Sequence, residues 1–555
     1  MKRSNASVHA NHTRQVGSGA LLRTARFFSI GLTVLAVTLG AGFASAAPEL
    51  TKEQMEEAKY IYYDRCSGCH GALRKGATGP NITAEKMSTK SLAELEKMIY
   101  DGTEAGMPGW GRTGELTKAE SDLMAKFIQL PAPVPPEMNL EDMKKTHKLI
   151  VPVAERPKKQ KHKRDIDNYF GTILRDAGQG AIIDGDTKET VAVLTTGHAV
   201  HIFRASATGR YFYTIGRDGK VSLIDLYEKE PRVVAETRVC LDARSVDVSK
   251  YKGPKGDFVD KYAVVGCYWP PQMVVIDGQT LEPLKVVSTR SSTYDTNEYH
   301  PEPRVATIVA SHHAPEWVVA IKETGMVWLV DYSDLDNLTM TQIATERFLH
   351  DGGFDATGRY LLIAANMRDQ MVVVDTKERK FVTKFETGTK PHPGRGANWI
   401  DPEYGPVSAT THLGEGLIVV YGSDPEGHPE HAWKVVREEE TGGPGLFLKT
   451  HPKSEHVWTD ATLSKEEGDN RQICVFKKSD FAAGPNCWIA SDHGKVVHFE
   501  YNKAGDEVWA AVWDKKGELI IYDDKTLKEK TRIKGDWLVT PTGKWNVYNT
   551  VHDVY

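Results

Sequence analysis

The chain has 555 residues, 40% hydrophobic and 26% charged, which excludes a disordered or membrane-embedded protein and leaves room for more than one domain. Its formal net charge is −5, and the first 46 residues contribute Lys2, Arg3, Arg14, Arg23 and Arg26 without an acid, so a chain that loses them falls to about −10. Such acidity argues against nucleic acid and anionic membrane surfaces as partners.

The N-terminus reads as an export signal. Behind the basic residues, an apolar run from Phe27 to Phe43 is interrupted only by Ser29, Thr33 and Thr38, and Ala44-Ser45-Ala46 supplies a small-residue cleavage site. A retained anchor is the alternative, because the run approaches spanning length. The small-residue exit and the lack of charge after it favour cleavage, so residues 1–46 are expected to be a signal peptide. The mature chain then begins near Ala47, outside the cytoplasm, with no membrane span.

Residues 47–135 read as an all-α cytochrome c domain. Thr51 and Gln54 have capping-box spacing, and Met55, Ala58, Ile61 and Tyr62 share one helical face leading into Cys66-Ser67-Gly68-Cys69-His70. C-x-x-C-H is the attachment signal of a c-type haem: two thiols bond the porphyrin edge, and His70 ligates iron. A thioredoxin-like pair or half a zinc site is the alternative, but no second C-x-x-C and no H-x3–5-H follows at zinc-finger spacing. A second helix is expected over Ser91–Tyr100, with Leu92, Leu95 and Ile99 inward. A third is expected over Lys118–Gln129, with Leu123, Met124 and Phe127 inward. Between them, Met107 in Gly106-Met107-Pro108-Gly109 is placed to be the sixth iron ligand, although a core-filling methionine is the commoner fate of this residue type. No histidine lies between Ala47 and Cys66 to compete for that position. A His–Met iron suits electron transfer.

Pro131-Ala-Pro-Val-Pro-Pro136 ends this domain, and 136–168 read as a linker whose basic run, Arg156 to Arg164, is expected to be a solvated connector. Four cysteines remain, Cys240, Cys267, Cys474 and Cys487. They are too scattered for a disulfide framework and are read mostly as small buried hydrophobes, with a Cys474–Cys487 bridge possible. From Tyr169 onward short β-rich runs recur with a phrase of apolar residues ending in Asp, at Asp184, Asp225, Asp277, Asp331, Asp375 and Asp523. Degraded copies lie at Gly422 and Lys477. Steps of 41 to 55 residues are those of a β-propeller, and eight units fill 169–555. Its central channel is a natural place for a flat cofactor.

Within the propeller, His201, His350 and His392 stand out by context, the last two in Gly- and Pro-rich settings read as loops. Spacing alone does not select them, since a lone propeller histidine is more often structural, as with His412 and His552. Arg175, Arg217, Arg244 and Arg395 recur in Gly- or Asp-rich turns and could clamp an anion or brace blades.

Longer phrases carry a resemblance. Arg65 to Gly79, Gly106 to Gly111, Leu174 to Gly178, Glu298 to Val305, Phe348 to Gly353, His392 to Asn398, Pro541 to Thr550 and His552 to Tyr555 make the mature chain similar to the cytochrome cd1 nitrite reductases. The resemblance implies one covalent haem c and one non-covalent haem d1, with His201 as proximal ligand of the d1 iron. His350 and His392 would be the distal pair that protonates substrate. Arg175, Arg217, Arg244, Ser245, Tyr268, Arg395 and Thr542 would line or hold the d1 ring. It further implies a periplasmic homodimer that reduces nitrite to nitric oxide with electrons from a small c-type cytochrome or cupredoxin. The N-terminal arm whose tyrosine covers the d1 iron in some members is not expected, because about twenty residues separate the cleavage site from Cys66. Two alternatives remain. A haem d1 maturation dehydrogenase of the same architecture is expected to lack part of the distal pair, and a non-enzymatic electron carrier leaves the histidine and arginine set unexplained.

Overall fold

The computed structural model describes residues 48–103, 107–112, 114–466 and 468–555; the expected signal peptide and Gly106 lie outside the described residues. Helix α1 (Lys52–Ile61) starts at Thr51, whose hydroxyl accepts the Gln54 amide while the Gln54 side chain accepts the Thr51 amide. A π-helical turn, Tyr62–Cys66, and a single α-turn, Ser67–His70, follow without a break. Helices α2 (Leu92–Asp101) and α3 (Lys118–Ile128) carry the same reciprocal caps at Ser91/Glu94 and Thr117/Glu120. Ala58, Ile61, Leu95, Ile99, Leu123, Met124 and Phe127, spaced for one helical face each, meet in one buried core.

Eight antiparallel sheets follow, each built on four strands from the channel outward. The recurring aspartates end the third strand of their blades, and the reason for the repeat is local. Asp184, Asp277, Asp331, Asp375 and Asp523 each accept amides two or three residues on, closing the turn into the outer strand. Where the phrase degrades, at Gly422 and Lys477, the third strands Leu417–Gly422 and Gln472–Lys477 still form.

The ring closes through backbone pairing of the two ends. The C-terminal strand Pro541–Asn546 is the innermost strand of blade 1 and pairs with Tyr169–Leu174. Phe170 of that blade stacks on buried Trp509 of blade 8, centroids 4.0 Å apart.

Two expectations are corrected. The segment after Pro136 is bound, not free. Helix α4 (Leu140–Thr146) and a strand at Lys148–Leu149 pack on blade 2, and Arg156 is buried, donating to the carbonyls of Val151 (3.0 Å) and Gln279 (2.7 Å). Arg164 pairs with Asp184, and Lys161 with Glu228, so two cations of the basic run meet blade acids, while Lys158, Lys159 and Lys163 stay exposed as expected. Cys240 and Cys267 are not separate small hydrophobes but a disulfide, 27 residues apart in sequence and brought together where adjacent strands of blade 3 begin and end. Cys474 and Cys487 are also bridged, standing directly opposite each other on neighbouring strands.

Because the blade 8–blade 1 seam rests on the Phe170–Trp509 stack, Trp509→Ala is expected to lower stability by about 3–5 kcal/mol. Urea unfolding of the protein measures it.

Candidate active site

The cytochrome domain presents Cys66 and Cys69 as free thiols, Cys69 exposed. The buried ring of His70 places Nδ1 2.8 Å from the Pro80 carbonyl. A carbonyl can only accept, so Nδ1 carries the proton and Nε2 is the basic nitrogen. Burial lowers the His70 pKa, which keeps the ring neutral as iron ligation requires. Gly79 lies against this ring so closely that a Cβ would stand 2.9 Å from Cε1. Met107 is half-buried at the edge of the helical core beside Ile82 and Trp110, and Thr103 holds its backbone through both amide and carbonyl.

In the propeller, a cavity of about 370 Å³ lies where the inner strands of all eight blades converge. Thr542, Arg204, Ser245, Ile308, His350, His392, Leu448 and Val497 represent blades 1 to 8 in its wall. All ten residues expected to face haem d1 line this one cavity: Arg175, His201, Arg217, Arg244, Ser245, Tyr268, His350, His392, Arg395 and Thr542.

The wall fits an anionic macrocycle. Buried polar atoms without a protein partner include Arg244 Nε and Ser245 Oγ, and the remaining lining arginines bring further cationic donors. Arg217 is held by both oxygens of Asp242, at 2.6 and 2.7 Å. Arg395 donates to the carbonyls of Gly352 and Ile308. His201 repeats the arrangement of His70. Its Nδ1 is 2.8 Å from the Arg244 carbonyl, Nε2 is the nitrogen left to ligate, and burial holds its pKa well below the ordinary histidine value.

His350 and His392 have ring centroids 5.1 Å apart and share one partly buried carboxylate. Asp351 Oδ1 lies 3.0 Å from His350 Nδ1, and Oδ2 lies 3.0 Å from His392 Nε2. The two rings are driven in opposite directions. His392 Nδ1 is also 2.7 Å from the Leu446 carbonyl, so both of its nitrogens face pure acceptors and both must donate. Burial disfavours that imidazolium, but Asp351 and the two hydrogen bonds outweigh it and raise the His392 pKa. His350 goes the other way: burial first, then the nearby Lys322 ammonium, lower its pKa to about 3 despite Asp351.

The structure corrects one placement. His350 is not on a loop but on the inner strand Leu349–Phe354, where a register shift between Leu349 and Gly352 breaks the regular ladder. Such a bulge re-aims side chains. His392 lies in the two-residue strand Pro391–His392. Sequence reasoning missed Asp351, hidden beside His350, and Arg204, which sits mid-strand without a turn signal and lies 3.7 Å from Asp247. It also missed Asp460, whose carboxylate accepts the amides of Leu446 (2.6 Å) and His498 (3.1 Å) and so braces the carbonyl that orients His392. Among the described residues, no helix is long and apolar enough to cross a membrane.

Residues 164–550 match the family described as cytochrome D1 heme domain, and residues 53–128 match cytochrome C oxidase, cbb3-type, subunit III. The chain is 48% identical over 556 residues to a nitrite reductase of Stutzerimonas stutzeri, covering 95% of this chain and 98% of that one. It is 28% identical over 494 residues to the dihydro-heme d1 dehydrogenase of Pseudomonas aeruginosa, covering 88% and 93%. A solved dihydro-heme d1 dehydrogenase superposes with a TM-score of 0.68 at 27% identity, covering 89% of this chain and 99% of that one. The protein's cofactors are accordingly a covalent haem c and a non-covalent haem d1, each with iron. Both cofactor regions occur in one polypeptide, in this order, with near-complete coverage of the nitrite reductase: the chain belongs to the cytochrome cd1 nitrite reductase family.

Proposed function

We propose that this cytochrome cd1 nitrite reductase reduces nitrite by one electron in the central cavity, with His392 and His350 as the groups that supply its protons. The balance is one nitrite, two protons and one electron to one nitric oxide and one water. The observation that carries the reading is the buried histidine pair on Asp351, with the charged form favoured in His392 and disfavoured in His350.

Haem d1 iron, when bound, supplies the binding position for nitrite and the electron. The chain's own groups do the rest. Arg175, Arg217, Arg244, Ser245, Tyr268, Arg395 and Thr542 would hold the macrocycle, and His201 Nε2 would ligate its iron. Cys66 and Cys69 would fix haem c, with His70 and Met107 as the residues that would ligate its iron. The His392 imidazolium draws the nitrite anion into a low-dielectric cavity and gives the first proton to a departing oxygen. His350, neutral at the same pH, relays the second proton from water, taking it up at one ring nitrogen as it gives one up at the other, and Asp351 holds both rings towards one point.

The export signature and the C-x-x-C-H motif support a periplasmic setting, and the covalent haem supports a small c-type cytochrome or cupredoxin as donor to a homodimeric enzyme. Nitric oxide release from nitrite by anaerobically reduced, two-haem protein tests the reading. Fully loaded protein that releases none would instead favour a dehydrogenase acting on a haem d1 precursor.

His350→Ala and His392→Ala are each expected to lower turnover on the order of 10²-fold. Wild-type turnover in both would remove them from the reaction. Because the His392 pKa is raised, its proton persists above the usual histidine range and is lost as pH climbs through the raised value, so kcat/KM should fall on the alkaline side. Asp351→Asn removes the supporting charge, and that alkaline limb should move to lower pH. Arg244→Met should keep its covalent haem while losing haem d1, read as the ratio of the two haems in the purified protein.

A further inference from the structure

The loop carrying Cys66, Cys69 and His70 rests on the propeller at a site crowded with buried charge. Glu302, just ahead of the inner strand of blade 4 (Val305–Ala310), accepts the amides of Ala72 at 2.5 Å and Leu73 at 3.1 Å. Arg304 donates to the Gly68 carbonyl at 2.9 Å and is clamped to Glu323 by bonds of 2.6 to 2.8 Å. Lys322 Nζ donates to Thr78 Oγ1 at 2.8 Å. Glu302, Arg304, Lys322 and Glu323 are all buried. Charged groups taken out of water are costly unless paired, and three of these four are partnered by the backbone or side chain of the haem loop itself. The docked loop therefore completes the solvation of blade 4, and blade 4 fixes the loop.

The same contact leads inward. The Arg304 guanidinium, bonded to Gly68 between the two haem-attaching cysteines, lies 4.6 Å from the centroid of the Tyr268 ring, which lines the central cavity.

We infer that Glu302, Arg304 and Lys322 form a seat that fixes the haem-bearing loop on blade 4, and that the Arg304–Tyr268 stack is the contact through which the electron of haem c enters the central cavity. One electron leaves the haem c iron, ferrous to ferric, and one is gained by haem d1, with no bond of the chain made or broken. These are positioning residues. The inference rests on the two cofactors and holds whichever substrate is reduced, so its failure is separable from failure of the nitrite reading.

Two conservative variants of the two-haem protein test it. Glu302→Gln keeps the shape of the side chain but puts a donor NH2 where one of its two oxygens accepts a loop amide. Arg304→Lys keeps the positive charge beside Glu323 but loses the planar fork that serves Gly68, Glu323 and Tyr268 together. In stopped-flow reduction by a small-molecule reductant, haem c should reduce at the wild-type rate in both. Passage of the electron from haem c to haem d1 should slow on the order of tenfold or more, the scale that a shift of about an ångström produces in a geometry-limited step. Hydrogen exchange in Glu302→Gln should rise at the Ala72 and Leu73 amides while the amides of α3 stay at wild type. Wild-type electron passage in both variants, or unchanged exchange at Ala72 and Leu73, overturns the inference.

Discussion

Eight inner strands converge on one cavity because the last strand of the propeller hydrogen-bonds to its first, Tyr169–Leu174. Pro541–Asn546 lies inside Tyr169–Leu174, so blade 1 is built from both ends of the propeller sequence and no blade is left with an open inner edge. The cavity wall depends on that closure directly, since Thr542, Gly543 and Trp545 of the closing strand line it, as do Val554 and Tyr555 at the end of the chain. The terminal residues are tied in by charge. Asp553 accepts from Lys250 at 2.7 and 2.8 Å and from Tyr555 at 2.9 Å, and Lys449 holds the Val554 carbonyl. A site assembled this way is sensitive to the last fifteen residues although they are far in sequence from every histidine in it.

Within the cavity and the haem c loop, one residue type takes different roles through the partner of its second ring nitrogen. His70 and His201 each give Nδ1–H to a backbone carbonyl and keep Nε2 free, and burial leaves both neutral. His392 also gives Nδ1–H to a carbonyl, but its Nε2 meets a carboxylate, which favours the imidazolium and raises its pKa. His350 shares that carboxylate without a carbonyl partner and stays neutral. Hydrogen-bond topology thus sets which ring keeps a basic nitrogen and which is driven towards its charged form. The carboxylate that makes the difference, Asp351, is itself held well below the usual range by the two rings it serves, against the opposing effect of burial.

The legible part of the fold was whatever repeats or caps locally. Capping boxes at Thr51, Ser91 and Thr117 fix the helices, and the turn-closing aspartates expose the blade period, because both are short-range hydrogen-bond devices written in three or four residues. What pairs at long range was not legible. Cys240 and Cys267 meet only once blade 3 is assembled, Arg156 finds its Gln279 acceptor on blade 3, and the ring closure joins residues hundreds apart. The site showed the same division. His350 and His392 were selected by the length of the phrases around them, whereas Asp351, Arg204 and Asp460 carry no local signature. Asp351 and Asp460 act through geometry that a bulge and a long loop create.

The seam between the domains follows from the same physics as the cavity. Interfaces between domains of one chain usually resemble transient ones, polar and weakly held. Here the seam contains carboxylates and cations that water does not reach, so each must be answered by a specific partner across it. Gly68 is tight enough against Arg217 that a Cβ would lie 3.0 Å from Nη1, and Arg217 is fixed in turn by Asp242. Blades 2 and 4 therefore grip the C-x-x-C-H turn from two sides, with Arg217 and Tyr268 shared between seam and cavity wall. Displacement of the haem c loop takes the donor amides of Ala72 and Leu73 from Glu302 and the acceptor carbonyl of Gly68 from Arg304, in a buried place. That penalty is what gives a covalent haem on a helical domain a defined position relative to a pocket made of strands.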